Sequence, residues 1–304
     1  MSAAVITSIL VLGTAGCGGS SDDSDGKPNI AVVIPNPGNP YWGDVLEGAE
    51  SAAEASKDAN VSFTTSTRED PTELLLKIEN ALASQPDALA VVPQYPEELE
   101  SIIARTIEGG TPVVMIDTPV ENVDASFVGT DNVKGGRVAG EYVAENLKSG
   151  GTAAIIHCVP GITTSDERVE GFEETLEGTG IEIVAVLDGK CELEKGREKM
   201  ENILTAHPDL GAVFSVSDSQ TLGALQAVDE SNRPIIVSYD AQEEMLEALG
   251  EGKLDGDVAQ FPVKMGEQGV ELAIEAALGK EIPATTDTGV ELVTKENLAS
   301  FSGN

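Results

Sequence analysis

The side chains with most chemical potential in this sequence stand at the ends of apolar runs. The run Ile30 to Ile34 is closed by Pro-Asn-Pro-Gly, and Asn39, Tyr41 and Trp42 follow at once. Trp42 is the single tryptophan of a chain that is only 4% aromatic, which singles it out as a candidate binding face. Two later runs, Pro112-Val-Val-Met-Ile-Asp117 and Pro234-Ile-Ile-Val-Ser-Tyr-Asp240, each finish on an aspartate. Rings offer faces for stacking, amides both donate and accept, and carboxylates accept hydroxyl hydrogens on two oxygens. The plainer readings are a helix cap or turn former for each aspartate and a core position for Trp42. Gln94, after Pro93 at another strand end, is a lesser candidate. His157 and His207 lack a HExxH pattern or a second histidine, and no Cys-x-x-Cys, GxGxxG or P-loop sequence occurs. A metal site, a nucleotide or dinucleotide enzyme, and a cofactor are therefore not expected.

These residues need a scaffold, and the sequence alternates strand-like with helical patterns. Strands are expected at 30–34, 61–65, 88–92, 113–117, 153–157, 181–187, 212–216 and 235–239. Helical spacing falls at 42–55, 71–83, 133–147, 165–176, 194–204 and 222–229. Such alternation implies parallel sheets with right-handed crossovers, in which ligands sit beyond the carboxyl ends of the strands. Equivalent pieces also recur at an offset of about 122 residues. Ala31 to Pro35 matches Ala153 to His157, Glu47-Gly48 matches Glu170-Gly171, Pro86-Asp87 matches Pro208-Asp209, and the run ending at Asp117 matches that ending at Asp240. One offset is one domain length, so two similar α/β domains are expected to face each other across a ligand cleft.

Composition sets the outer bounds. The 53 Asp and Glu against 18 Lys and Arg give a net charge of −35, which excludes nucleic acid and anionic membrane faces as partners. Hydrophobic periodicity persists beneath the acids, so they read as a solvated surface, of the kind suited to high salt or to an ordinary acidic exported protein. At the amino terminus, Ala3 to Leu12 is apolar but too short to span a bilayer, and Gly-Thr-Ala-Gly-Cys17 follows. This layout resembles a lipoprotein signal: residues 1–16 as a signal peptide, a lipidated Cys17, and a flexible tether over 17–26. It departs from that pattern in having no basic residue before the apolar run and Thr14 where Leu is usual; a plain signal peptide or buried helix is the alternative. The expected location is exported, at the outer face of the cytoplasmic membrane, held by lipid.

The NPYW stretch, the IDTP edge, the SDERVEGF segment, the AHPDLGAVFSVSD run, the SYD edge and the VAQFP segment together resemble the ribose-binding-like, sugar-binding solute receptors of ABC importers. The resemblance covers the chain from about Lys27 to its end. It implies the type I periplasmic-binding-protein fold: two similar doubly wound parallel-sheet domains joined by a three-crossing hinge. On that analogy the N-terminal lobe is 27–129 plus 261–287 and the C-terminal lobe is 130–260 plus 288–304. It further implies capture of a small neutral sugar or polyol by hinge closure, delivery to ABC permease membrane subunits, a monomeric receptor, and no enzymatic activity.

The ligand set implied by the resemblance is Asn39, Tyr41, Trp42, Asp117, Thr118, Arg168, Cys191, Ser217, Asp240 and Gln260. A sugar offers apolar C–H faces and a rim of hydroxyls, which suits the rings, the carboxylates and the rigid donor fork of Arg168. Arg168 is expected to pair with one of the aspartates when the cleft is shut, which offsets part of its burial cost. Two positions depart from the family pattern: Ser217 stands where Asn is common, and Cys191 where an aromatic is common, so the identity of the sugar is open. A polyol, a nucleoside or a furanosyl signalling molecule are the alternatives. A glycosidase built on two carboxylates is the alternative of another class; a transcription regulator of this fold would need a basic helix-turn-helix at its start. With Cys17 lipidated, Cys158 and Cys191 remain, each after a strand expected to neighbour the other, so either a disulfide or two free thiols is expected there.

Overall fold

The computed structural model describes residues 26–147, 150–229 and 233–301. The expectations on the signal segment, Cys17 and the tether as far as Asp25 lie outside the described residues. Two six-stranded sheets form the scaffold. The first runs in the order β11 (Thr285–Asp287), β5 (Ser126–Gly129), β4 (Val113–Ile116), β3 (Ala88–Val91), β1 (Asn29–Ile34), β2 (Asn60–Thr65), all parallel. The second runs β12 (Glu291–Thr294), β10 (Gly256–Ala259), β9 (Ile235–Asp240), β8 (Ala212–Ser215), β6 (Thr152–His157), β7 (Glu182–Asp188), parallel except for β12 on its edge. The central strands are buried on both faces, as continuous Val, Ile and Ala runs in a parallel sheet require.

Helices α1 (Pro40–Ala55), α2 (Pro71–Leu82), α3 (Pro96–Glu108) and α9 (Pro262–Ala277) accompany the first sheet. Helices α4 (Asn132–Asn146), α5 (Thr163–Leu176), α6 (Leu193–Ala206), α7 (Asp218–Leu225) and α8 (Glu243–Glu251) accompany the second. Each sheet has an apolar core on either face. The chain passes from one sheet to the other after β5, after β10 and after β11. The two-domain α/β architecture expected from the sequence is present.

The repeat has a packing reason. Gly48 of α1 abuts the Val263 carbonyl of α9, and Gly171 of α5 abuts the Val133 carbonyl of α4, so that a Cβ at either would collide with backbone. Gly266 and Gly136 return the contact from the partner helices. The duplicated Glu-Gly pair thus marks a close helix crossing in each lobe.

Several boundaries differ from expectation. Strand β4 ends at Ile116 rather than Asp117, because Asp117 turns into the left-handed region at φ 66. The helix expected over 222–229 lies at Asp218–Leu225; its buried polar start hides it from apolar periodicity, and the Leu222, Leu225, Val228 spacing continues past its end in tight turns. Helices α3, α8 and α9 and strands β5, β10, β11 and β12 stand in addition to the expected elements, the strands being three or four residues long. Among the described residues no helix is long and apolar enough to cross a membrane.

Candidate functional site

The carboxyl ends of the central strands of both sheets converge on one cavity of about 160 Å³. Every residue of the expected ligand set lines it: Asn39, Tyr41, Trp42, Asp117 and Thr118 on the side of the first sheet, Arg168, Cys191, Ser217, Asp240 and Gln260 on the side of the second, with Gln94 also present. At about 30 Å³ per liquid water, the space equals roughly five waters, room for one small ring.

On the first side, Asn39 closes the loop after β1 and caps α1, its Oδ1 accepting from Tyr41 N–H at 3.2 Å. Its amide nitrogen donates to Glu69 Oε1 at 2.9 Å. The Tyr41 hydroxyl donates to Asp117 Oδ1 at 2.5 Å and the Thr118 hydroxyl to Asp117 Oδ2 at 2.7 Å. Asp117 is thereby held by two hydroxyls of the protein, and each oxygen keeps one acceptor position. Tyr41 and Trp42 meet edge to face with centroids 4.9 Å apart, each is 7% exposed, and both belong to the first-lobe core while lining the cavity. The indole N–H of Trp42 is buried without a partner.

On the second side, Arg168 emerges from α5 and is fixed in place. Its Nε donates to Asn132 Oδ1 at 2.8 Å, its Nη1 to the Val216 carbonyl at 2.8 Å, and its guanidinium lies 3.9 Å above the Tyr239 ring. Its Nη1 stands 3.6 Å from Asp240 Oδ1, a pairing with the aspartate on its own side of the cavity. Gln260 donates to the same oxygen at 2.8 Å, and the Ser217 hydroxyl stands 3.5 Å from Asp240 Oδ2. Asp117 and Asp240, equivalent in the repeat, both have positive φ, 66 and 116. Two strained carboxylate positions at one cavity cost of order 1–3 kcal/mol each and are held by the surrounding contacts.

Electrostatics follow from burial. Asp240 is pushed up to about 6, chiefly by loss of water, with Arg168 and Gln260 pulling the other way. Asp117 is raised, again by burial first, against the donors Tyr41 and Thr118. The Tyr41 phenol is driven well up by burial and by the two aspartates. Burial would discharge Arg168, but Asp240, Tyr239, Tyr41 and Asp117 outweigh it and raise its pKa.

Cys158 and Cys191 form a disulfide with Cα atoms 4.8 Å apart, which decides between the two expectations for this pair. It ties the loop after β6 to the loop after β7, the two strands being neighbours. Lys190 and Cys191 are both left-handed, at φ 57 and 56, and Cys191 N–H donates to Gln220 Oε1 at 3.1 Å. Where a ring was absent from the sequence, the wall here is Ile162 beside a sulfur bridge.

Sequence reasoning missed Glu69, Ile162, Thr164, Ser219 and Gln242, which also line the cavity. Ile162 lies late in the loop after β6 and Gln242 two residues past β9, while Thr164 and Ser219 stand in the first turns of α5 and α7, places that the strand ends alone do not mark. Asn132, which orients Arg168, gave no signal of its own. Among the described residues no cluster of His, Cys, Asp and Glu is arranged to hold a metal ion.

Comparison with known proteins agrees with this arrangement. The D-ribose/D-allose-binding protein of Pseudomonas aeruginosa is 30% identical over 284 residues, 88% of this chain and 89% of that protein. The ribose import binding protein of Salmonella typhimurium is 28% identical over 273 residues, covering 89% and 92%. Among solved structures, a periplasmic ribose ABC transporter protein from Conexibacter woesei superposes with a TM-score of 0.83 at 29% identity, over 90% of this chain and 94% of that one. A solute binding protein from Burkholderia graminis, in complex with D-arabinose, gives 0.84 at 26% identity over 91% and 99%. These relatives are binding components of transporters, not enzymes. Residues 30–281 match the family described as periplasmic binding protein domain, and with its two facing sheets and strand-end cavity this chain belongs to that family, whose place is outside the cytoplasm.

Proposed function

We propose that the protein captures a small neutral sugar between its two lobes and delivers it to an ABC-type permease. The observation that carries this reading is the convergence of donors, acceptors and rings from both sheets on one cavity of single-ring size. Tyr41 and Trp42 take the apolar face of the ring. Asp117 and Asp240 accept hydroxyl hydrogens from opposite sides, and Arg168 and Gln260 donate. Because each lobe owns half of these contacts, ligand favours the closed arrangement over the open one, and a permease reads the closed state.

In this reading the lobes are 27–129 plus 261–287 and 130–260 plus 288–304, moving about the three crossings, and the chain is anchored by a lipid on Cys17. Two relatives that bind ribose or allose and arabinose by name support a monosaccharide ligand. A thermal-shift screen of pentoses, hexoses, polyols and nucleosides at high salt tests it. A rise in Tm with one or more monosaccharides is expected, since a ligand bound only by the folded state stabilises it. Shifts with nucleosides or polyols alone would replace the sugar in this account.

A further inference from the structure

Gln220 is a fully buried amide that the binding scheme does not use. It stands in the first turn of α7, and its side chain joins two other elements. Nε2 donates to the Ile156 carbonyl of β6 at 2.7 Å, and Oε1 accepts from the Cys191 N–H at 3.1 Å. A backbone N–H only donates and a carbonyl only accepts, so both partners dictate the same orientation of the amide. Its main chain is equally fixed. Helix α7 crosses α6 so closely that a Cβ at Gly196 would meet the Gln220 carbonyl and one at Gly223 would meet the Leu193 carbonyl. Leu193 opens α6, two residues after Cys191.

The loop held by this amide needs an anchor. Gly189 and Lys190 prolong the pairing with the end of β6, donating to the His157 carbonyl at 2.7 Å and the Cys158 carbonyl at 3.1 Å. Lys190 and Cys191 then turn through the left-handed region at φ 57 and 56, a conformation costly for residues with a Cβ. The next backbone N–H, that of Cys191, goes to Gln220. Gly189 passes so close that a Cβ there would collide with Gln220 Oε1 and Ile156 Cγ2. Cys191 itself is exposed, so burial contributes little to holding it. The bridge to Cys158 fixes its sulfur, and the bond to Gln220 fixes its backbone. Cys191 lines the cavity, as do Ser217 and Ser219 at the start of α7, so one amide sets two stretches of wall against each other.

We propose that Gln220 is a positioning residue for the second wall, its Oε1 holding the Cys191 backbone in the turn that lines the cavity and brings the Cys191 sulfur to Cys158. Without the amide oxygen the loop relaxes out of its left-handed turn, the wall loses its register with α7, and ligand affinity falls. Ile156 keeps a donor in that event, because its carbonyl also accepts from Val216 N–H at 3.1 Å. The acceptor end of the amide, not its donor end, therefore carries the role. The ligand consequence rests on the sugar-binding reading; the brace itself does not.

The test compares the full chain with three variants. Gln220→Met keeps length and bulk but offers no amide oxygen; Gln220→Glu keeps an acceptor for Cys191 and, when protonated, a donor for Ile156. Ile203→Val opens a small cavity under α6, toward the far end of that helix from the loop, and lowers stability alone. Without ligand, the Cys191 amide exchanges hydrogen about tenfold faster in Gln220→Met and at the wild-type rate in the other two. In glutathione buffers, one oxidised glutathione takes two electrons and two protons from the two thiols and leaves as two reduced ones. The equilibrium constant for that step falls about tenfold in Gln220→Met and matches the wild type in the other two. A general loss of stability moves the denaturant midpoint and leaves both readings where they were. With D-ribose as probe, Gln220→Met binds about tenfold more weakly and Gln220→Glu like the wild type. Wild-type readings in Gln220→Met, or its losses reproduced in Gln220→Glu or Ile203→Val, would overturn the proposal, as would full D-ribose affinity in Gln220→Met with the amide freed. If the ligand-free results hold and the wild type binds no D-ribose, the brace stands and the ligand assignment is what fails.

Discussion

Asp240 enters the cavity as a carboxyl that loses its proton only near pH 6, because burial opposes its charge more than Arg168 supports it. In the free protein this raised value means that its contribution to stability is present below the unfolded value and is lost as pH rises through about 6. Ligand binding has the opposite sign. Sugar hydroxyls donate to the ionised form, so affinity is expected to fall as pH drops below about 6, and Asp240→Asn removes that limb in a pH series of titration calorimetry. Asp240→Ala is expected to weaken binding by more than about tenfold, since ligand hydroxyls and Arg168 both lose a partner. The identities of Asp117 and Asp240 were legible because the repeat places both at strand ends. Their left-handed backbone was not, because nothing in Ile-Asp-Thr or Tyr-Asp-Ala signals a positive φ. The engagement of Asp117 by Tyr41 and Thr118 was equally invisible, since a hydroxyl's partner is chosen by packing between residues 76 apart. Glu69 escaped for the same reason: it reaches the cavity through Asn39 from a loop with no pattern of its own.

Two kinds of element fix the second wall. The disulfide closes a span of 33 residues from β6 to β7, for which chain entropy suggests on the order of 3–4 kcal/mol as an upper figure. Reduction, or paired Cys→Ser changes at 158 and 191, is expected to lower Tm and to weaken sugar binding by loosening the Cys191 loop; unchanged affinity in calorimetry would confine the bridge to stability. Helix α5 is set against α4 at Gly171 and Gly136, the latter against the Arg168 carbonyl itself. Gly171→Ala is expected to cost about 1–3 kcal/mol by overpacking and to displace Arg168, read as loss of denaturant midpoint together with affinity. The central strands and helices α1, α2, α4, α5 and α6 were readable from apolar period alone, whereas α3 and α9, 13 and 16 residues long, were not. Helix α7 was misplaced because Asp218, Gln220 and Thr221 are polar yet buried, satisfied by partners on other strands that no local period records. The short strands β5, β10, β11 and β12 gave too few residues for alternation to register, although the resemblance to known receptors anticipated the crossings they flank.

At the scale of the molecule, the cleft mouth is acidic on both sides. Glu97, Glu100 and Glu121 beside the first sheet face Asp166, Glu167 and Glu170 beside the second across a gap of about 490 Å³. Glu167 is raised by burial first and in part by Glu121 across that gap. In a chain of net charge −35, closing the lobes brings like charges together, so sugar affinity is expected to rise with salt, by up to about tenfold as the screening length shrinks from about 10 Å at 0.1 M to about 3 Å at 1 M. Glu121→Gln with Glu167→Gln flattens that dependence, and a salt series of far-UV circular dichroism separates it from any effect on folding. The charge was legible as a solvated surface, but its concentration at the cleft mouth depends on loops far apart in the chain. The central claim is that both lobes hold one monosaccharide in the cavity between Tyr41 and Asp240. Its most direct test is titration calorimetry of D-ribose, D-allose and D-arabinose into the folded protein at high salt. The account predicts saturable one-to-one binding of at least one of them that Asp240→Ala weakens more than about tenfold; heat from none of them, or binding that ignores Asp240, would contradict it.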